Sequence, residues 1–389
     1  AMIFAGLLRK LCAKWCDDRD GSIATALLSE GGDLLSAEPA VRIRELGAIA
    51  AGDAALREEL GRLPWTRLRG RIAANPRFAE ALDDYLKRFG ERCMEELKLE
   101  SLTLAEDPGS LYATIGEIAR ADAPKDPVPT AARGPGGGPA AEARAGIRRH
   151  LRFHPLRSAL LGWVARHARA RLVDREAMRF ERTRVFGRVR GIVLELGRRL
   201  HAARVLGDPR EVFHLELGEL LGFVEGTGSS AELRSLAAVR LREFERNLRE
   251  TPPDARFETR GMVFHGHRYR VRREPSAEPG AESRTGIGSS AGRVRGRVRV
   301  VTDPRASGLL GGEILVAERT DPGWVLLFPV AAGLVVERGS LLSHASIVAR
   351  ELGLPAVVGV PGATTWLRTG DEIEIDGASG EVRRLRKGD

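Results

Sequence analysis

Cysteine is scarce in this chain: Cys12, Cys16 and Cys93 are the only three in 389 residues. An odd, widely spaced set gives no disulfide framework, and a reducing cytoplasm is the default expectation. Cys12 and Cys16 fall on one helical face beside Trp15 and read as core. Aromatics amount to 5%, too few for the stacking platforms on which single-stranded nucleic acids are read. No apolar run approaches the roughly 20 residues needed to cross a bilayer, and no signal-peptide pattern precedes the first helical pattern. Lysine is rare too, at positions 10, 14, 87, 98, 125 and 387, so the net charge of +9 is carried by arginine. These arginines are interleaved with glutamates along helical patterns, the mark of solvated, ion-paired faces. No specific nucleic-acid partner and no membrane partner is expected.

What the chain does contain is helix, then strand. Phe4–Trp15, Ala37–Ala51 and Phe78–Phe89 carry apolar residues at three- and four-residue spacing. The Pro/Gly/Ala-rich stretch 122–146 has too few large apolar residues to form a core and reads as a flexible loop. Helical pattern returns over Leu156–Leu206, and Val212–Leu215 reads as a short strand leading into helices at Gly218–Val224 and 231–249. His214, within that apolar piece, reads as a core histidine. Alternation over Phe257–Val271 suits a hairpin turning at His265-Gly266-His267. The two histidines could ligate a metal, but no cysteine or carboxylate partner is evident and no metal site is assigned. After a second Pro/Gly/Ser-rich segment, strand patterns appear at Arg293–Val301, Glu313–Ala317, Gly333–Glu337, Ala356–Val360, Glu372–Ile375 and Glu381–Leu385, with a helix at His344–Leu352.

The chemistry concentrates at that helix. Ser343 stands at the N-cap position, Gly353 at the C′ position, and Pro355 just beyond. His344 then occupies the first turn, where unpaired N–H groups and the helix dipole favour anions and keep an imidazole neutral. A neutral imidazole with a lone pair beside an anion-binding terminus is what a phosphoryl nucleophile requires. An isolated Ser-His pair would read first as an ordinary cap followed by an exposed residue; the longer segment changes that.

Gly339–Val358 resembles the signature of the phosphohistidine swivelling domain of phosphoenolpyruvate-utilising enzymes, with Ser343-His344-Ala345 followed by Ile347-Val-Ala-Arg-Glu-Leu-Gly-Leu-Pro-Ala-Val357. Thr320-Asp321-Pro322-Gly323-Trp324 resembles the family's second motif. Glu91–Ser101, Arg175-Glu176, Arg179–Arg184 and Glu211–Leu215 resemble the helical region of rifampicin phosphotransferase-like members. The resemblance implies a multidomain α + α/β chain: a mostly α-helical substrate-binding-like region at 1–275, a hinge at 276–290, and a β/β/α swivelling domain at 291–389. It implies that His344 carries the phosphoryl group, with Ser343, Thr320 and Arg350 adjacent to phosphate or positioning. Arg175, Glu176, Arg179 and Arg184 would serve the acceptor side or docking, or form plain surface pairs. Ser340 departs from the usual second glycine, and Leu342 stands where some members carry a regulatory threonine.

The first 120 residues contain no Gly-rich phosphate loop and no Walker pattern. ATP and Mg²⁺ are therefore expected only with an ATP-grasp-type domain or subunit outside this chain, which makes the chain an incomplete phosphotransferase. The acceptor is expected to be a small molecule. The alternatives are a ligase-like enzyme that uses phosphohistidine to activate a carboxylic acid, and a non-catalytic scaffold that kept the fold.

Overall fold

The computed structural model describes residues 2–18, 21–28, 36–93, 95, 97–121, 139–250, 257–258, 261–262, 270–271 and 281–385. They divide into two units, one of residues 1–97, 101–184 and 278–389, the other of 98–100 and 185–277.

In the first unit the helices are α1 (Met2–Cys16), α2 (Ser22–Leu28), α3 (Glu38–Ala51), α4 (Ala54–Glu59), α5 (Arg69–Ala74), α6 (Pro76–Phe89), α7 (Gly109–Arg120), α8 (Pro139–His150) and the start of α9 (Pro155–Ala202). Each buries a stripe dictated by its sequence. In α1, Ala5, Leu8, Cys12 and Cys16 face inward, so both cysteines are core. α6 begins where the Asn75 side chain accepts from Phe78 N, and buries Phe78, Leu82, Tyr85 and Phe89. α3 and α7 pack closely because Gly47 has no side chain; a Cβ there would lie 2.3 Å from Ile118 Cγ2. The expectation of a loop over 122–146 needs correction at its end. Residues 139–146 belong to α8, where Ala143, Ile147 and Leu151 at four-residue spacing enter a core with α1 and α9. Composition alone hid this, because one small alanine suffices where two helices pack closely.

α9 is 48 residues long. Within the first unit its buried positions, Leu161, Val164, Ala168, Leu172, Glu176, Phe180 and Thr183, follow a three-to-four-residue spacing. A carboxylate therefore sits on a stripe otherwise reserved for apolar or small residues. Arginines fill much of the rest of the helix, Arg190 among them buried, and among the described residues no helix is long and apolar enough to cross a membrane.

The C-terminal part holds β3 (Ser283–Thr285), β4 (Ile287–Ser290), β5 (Arg293–Val300), β6 (Ile314–Ala317), β7 (Gly333–Val336), α12 (His344–Leu352), β8 (Ala356–Val358), α13 (Ala363–Trp366), β9 (Glu372–Asp376) and β10 (Glu381–Arg384). These strands form one mixed sheet in the order β3-β10-β9-β5-β6-β7-β8-β4, with β5 through β8 parallel. The central strands are continuously apolar because both faces are covered. Leu315, Leu334 and Val358 pack with α12 on one face, while Ile314, Val335 and Val357 pack with α13 on the other. Only Gly286 separates β3 from β4, so one extended stretch pairs with β10 by its first half and β8 by its second. The expected hinge at 276–290 is corrected accordingly: residues 283–290 are sheet strands that tie its two edges together, and the chain groups with the first unit from residue 278.

The second unit has its own core of Leu200, Leu206, Val212, Leu220 and Leu233, built from the end of α9, α10 (Leu217–Glu225) and α11 (Leu233–Arg249). Val212–Leu215 is not a strand. Asp208 caps a 3-10 helix over Pro209–His214, a turn geometry in which Pro209 fits the first position. His214 is half-buried and faces the Phe244 ring at 6.0 Å. The Phe257–Val271 hairpin is present at its base, where β1 (Phe257–Glu258) pairs antiparallel with β2 (Arg270–Val271). His265 and His267 lie outside the described residues, as does most of the expected loop at 122–146.

Candidate functional site

The loop from β7 to α12 is shaped by close contacts. At Gly339 a Cβ would lie 2.9 Å from Val358 Cβ, so the chain can turn there only with glycine. Ser343 N donates to Ser340 O at 2.9 Å, and the Ser343 side chain caps α12 by accepting from Ser346 N. Ser346 Oγ donates back to Ser340 O at 2.7 Å. Arg350, two turns along, donates from Nε to Ser346 O at 2.9 Å and from Nη2 to Leu341 O. Burial pushes its guanidinium down to about 10. Ser343 and Arg350 thus hold the loop that presents His344, and Gly353 in the left-handed region closes the helix.

Helix α9 meets this loop. Arg175 Nη1 donates to Leu342 O at 3.0 Å. Its neighbour Glu176 places Oε2 3.1 Å from His344 Nδ1, with the His344 and Glu176 side chains only 3% and 1% exposed. The contact is made possible by apolar docking on both sides. Ile347 and Leu342 enter the core of α1, α2, α8 and α9, and Leu326 enters the core of α3, α6 and α7. The sequence suggests an open helix terminus at His344; here α9 covers it, because Ile347, one turn on, is too apolar to face water.

The electrostatics of the pair are set by burial. Desolvation drives the His344 pKa down, and the hydrogen bond and charge of Glu176 oppose this without overcoming it; Arg179 and Arg92 push it further down. For Glu176, burial pushes up, but His344, Arg179 and Arg175 outweigh it, and the carboxyl is held below its ordinary value. We read the pair as neutral imidazole donating Nδ1–H to carboxylate, with the arginines keeping the carboxylate ionised. Among the described residues His344 Nε2 and Glu176 Oε1 find no hydrogen-bond partner, and both are buried. The tautomer that satisfies Nδ1 leaves the Nε2 lone pair available as a nucleophile.

The other candidates separate. Arg179 acts on the pair through its charge. Arg184 is exposed and pairs with Glu181 at 3.2 Å, one turn back on α9, an ordinary surface ion pair. Thr320 is half-buried in the loop after β6 and makes no hydrogen bond to His344. The motif that it opens continues into a 3-10 helix over Pro322–Leu326 whose Trp324, Val325 and Leu326 are buried, so its visible role is packing. Arg92 was not singled out from the sequence, although it lies inside the Glu91–Ser101 segment. It stacks on Phe180, with its guanidinium carbon 4.7 Å from the ring centroid, and lines a cleft with Tyr85, Thr103, Asp107, Ser110 and Arg305. Among the described residues no cluster of histidine, cysteine and carboxylate side chains is arranged to hold a metal.

Residues 310–380 match the model of the PEP-utilising enzyme mobile domain. Residues 1–176 match that of the rifampicin phosphotransferase fourth domain. An uncharacterised protein of Mycobacterium tuberculosis (strain H37Rv) is 33% identical over 380 residues, 97% of this chain and 38% of its own. A rifampicin phosphotransferase of Streptomyces sp is 31% identical over 320 residues, covering 79% of this chain and 34% of the relative. The prodigiosin synthesizing transferase PigC of Serratia marcescens is 35% identical over 198 residues, 50% of this chain and 21% of its own. The chain therefore spans well under half the length of these relatives. Motif, domain order and likeness over most of its length agree: the chain belongs to the PEP-utilising enzyme family, with that family's mobile domain following a helical region like the fourth domain of rifampicin phosphotransferase.

Proposed function

We propose that this chain is the phosphoryl-relay portion of a phosphotransferase. His344 accepts a phosphoryl group from an ATP- and Mg²⁺-binding domain outside the chain and delivers it to a small-molecule acceptor at the helical region. The observation that carries this reading is the buried His344–Glu176 pair, with Nδ1 engaged and Nε2 unpartnered. In the loading step the Nε2 lone pair forms an N–P bond as the donor P–O bond breaks, and the ring becomes cationic with its proton still on Nδ1. In the docked arrangement the Glu176 carboxylate stabilises that cation. On delivery an acceptor hydroxyl forms the O–P bond, the N–P bond breaks, and the electron pair returns to the ring, which is again neutral. Glu176 Oε1 lies in the same buried site and is suited to take the hydroxyl proton.

Burial of His344 is what makes movement necessary. A nucleotide-binding domain cannot reach a histidine that is 4% exposed, so loading requires the β/α part to leave α9. The likeness to the prodigiosin synthesizing transferase PigC favours a second reading, in which the chain belongs to a biosynthetic transferase.

The test is to incubate the chain with Mg·ATP and a separately prepared nucleotide-binding domain of a rifampicin phosphotransferase. Mass spectrometry under non-acidic conditions should find phosphate on His344 and none on His344→Ala. Absence of label on the wild-type chain with every such domain would leave only the scaffold reading.

A further inference from the structure

The glutamates that pair with arginines along the later turns of α9, Glu181 with Arg184 and Glu195 with Arg199, have no counterpart at its start. Neither α1 nor residues 143–173 hold a single aspartate or glutamate, while arginine recurs in both and lysine in α1. This stretch of helix carries charge of one sign.

The same elements expose apolar side chains. On α1, Ile3, Leu7, Lys10 and Lys14 are exposed at spacings of four, three and four residues, a stripe opposite the buried Ala5, Leu8 and Cys12. On α9, Leu156, Leu160 and Trp163 repeat the four-three spacing and are exposed as well. Aromatic rings join the two stripes. Phe4 meets Trp163 edge-on with centroids 5.9 Å apart and stacks on His167 at 5.6 Å. Towards the other end of α1, the Arg157 guanidinium lies over the Trp15 ring at 5.7 Å. The two helices therefore run antiparallel side by side, and their apolar residues and lysines form one continuous face.

Such a face narrows the choice of partner. Two antiparallel helices with outward apolar side chains one turn apart offer a groove that a third helix fills. Positive charge along the rim calls for a negatively charged helix, and it sets two copies of the face against each other by repulsion. The position on α9 adds a purpose. Trp163 lies about 20 Å along the helix from Glu176 at 1.5 Å per residue. Leu342 and Ile347, which flank His344, pack into the same core as Leu8, Ile147 and Leu161. A phosphoryl donor held at this face would stand a short swing from the docked histidine.

We propose that the face made by Leu7, Lys10 and Lys14 with Leu156, Leu160 and Trp163 docks an acidic amphipathic helix of the nucleotide-binding domain. This assignment rests on the carrier reading above and names the surface by which the donor is held.

The experiment titrates the whole chain with the separately prepared nucleotide-binding domain of a rifampicin phosphotransferase, and follows labelling of His344 by that domain with Mg·ATP. Leu160→Glu should weaken binding by about tenfold or more and slow labelling in proportion when the domain is limiting. Lys10→Glu combined with Lys14→Glu should weaken binding to a similar extent and flatten its dependence on salt. Both variants should still load at the wild-type rate from phosphoramidate, whose P–N bond breaks as the Nε2–P bond forms and ammonia leaves. Absence of binding by the wild-type chain, or wild-type affinity in both variants, would overturn the assignment. So would a dimer of the chain, or its retention on phosphatidylcholine–phosphatidylglycerol vesicles, that Leu160→Glu abolishes while binding of the domain is unchanged. A wild-type chain that takes phosphate on His344 from neither the domain nor phosphoramidate would instead overturn the carrier reading itself.

Discussion

His344 stands in a specific sequence signature, and its partner Glu176 stands on a helix rich in charges. Ser343, His344 and the Gly353 cap were legible because local rules fix them: a hydroxyl before a helix and a glycine after it. The partner of His344 was not legible as a partner, because 168 residues separate the two and hydrogen bonding across that distance leaves no periodic trace. A signal was nevertheless present. Glu176 falls on the line of Leu172 and Phe180, where a carboxylate is costly unless it is paired. At this scale the account predicts that Glu176→Gln, which keeps an acceptor but not the charge, lowers acceptor-dependent transfer from phospho-His344 by about tenfold to a hundredfold, the range of a hydrogen bond to an ionised group. Single-turnover transfer rates measure it, and a rate equal to wild type would remove Glu176 from the chemistry. The pH dependence has a definite sign. Folding lowers the His344 pKa from its ordinary 6.5, so the undocked state binds more protons in the window below that value. Docking should be complete above about pH 6.5 and weaken as pH falls beneath it. Lowering of Glu176 from 4.5 acts in the same direction at still lower pH. Amide exchange in α12 followed against pH checks this.

At the scale of elements, α12 was legible to the residue and the sheet strands nearly so, because period-2 alternation and continuous apolar runs are strong signals. The 283–290 strand was missed because Gly286, Gly288 and paired serines look like linker. Its strand character comes from pairing with β8 and β10, not from its own propensity. The same helix carries two tasks. Its inner face, Val348 and Leu352, packs on its own sheet, while Ile347 packs into the helical core. Ile347→Ala should therefore separate docking from folding. Truncation of a buried isoleucine costs about 2–5 kcal/mol, and here the loss should fall mainly on the contact with α9. Limited proteolysis and circular dichroism together read it: faster exchange and cleavage around Leu341–Leu342 with strand signal retained. Concerted loss of the sheet would contradict the division of labour assigned to α12.

On the scale of the molecule, the domain division was the least legible feature. Helical texture runs without a break from residue 155 to 202, so sequence reading assigned 1–275 to one body. The structure instead groups 1–97 and 101–184 with the β/α part, and gives 185–277 a core of its own. Three apolar clusters decide this for the first unit: Ala40 joins the sheet core, Leu326 joins the core of α3, α6 and α7, and Ile347 joins that of α1, α8 and α9. Such mixed burial is invisible to any rule that works within a window of sequence. It describes a docked state in which His344 faces the helical region and away from solvent, the state in which delivery would occur under the proposed function.

The central claim is that docking fixes His344 as a neutral ring with its proton on Nδ1, so that Nε2 is the phosphoryl carrier. Nitrogen-15 spectra of histidine-labelled chain at neutral pH address it directly, before and after loading with phosphoramidate and against His344→Ala. The account predicts a His344 ring protonated at Nδ1 beforehand and a phosphorus-coupled Nε2 afterwards. A ring protonated at Nε2, or phosphorus coupled to Nδ1, would contradict it.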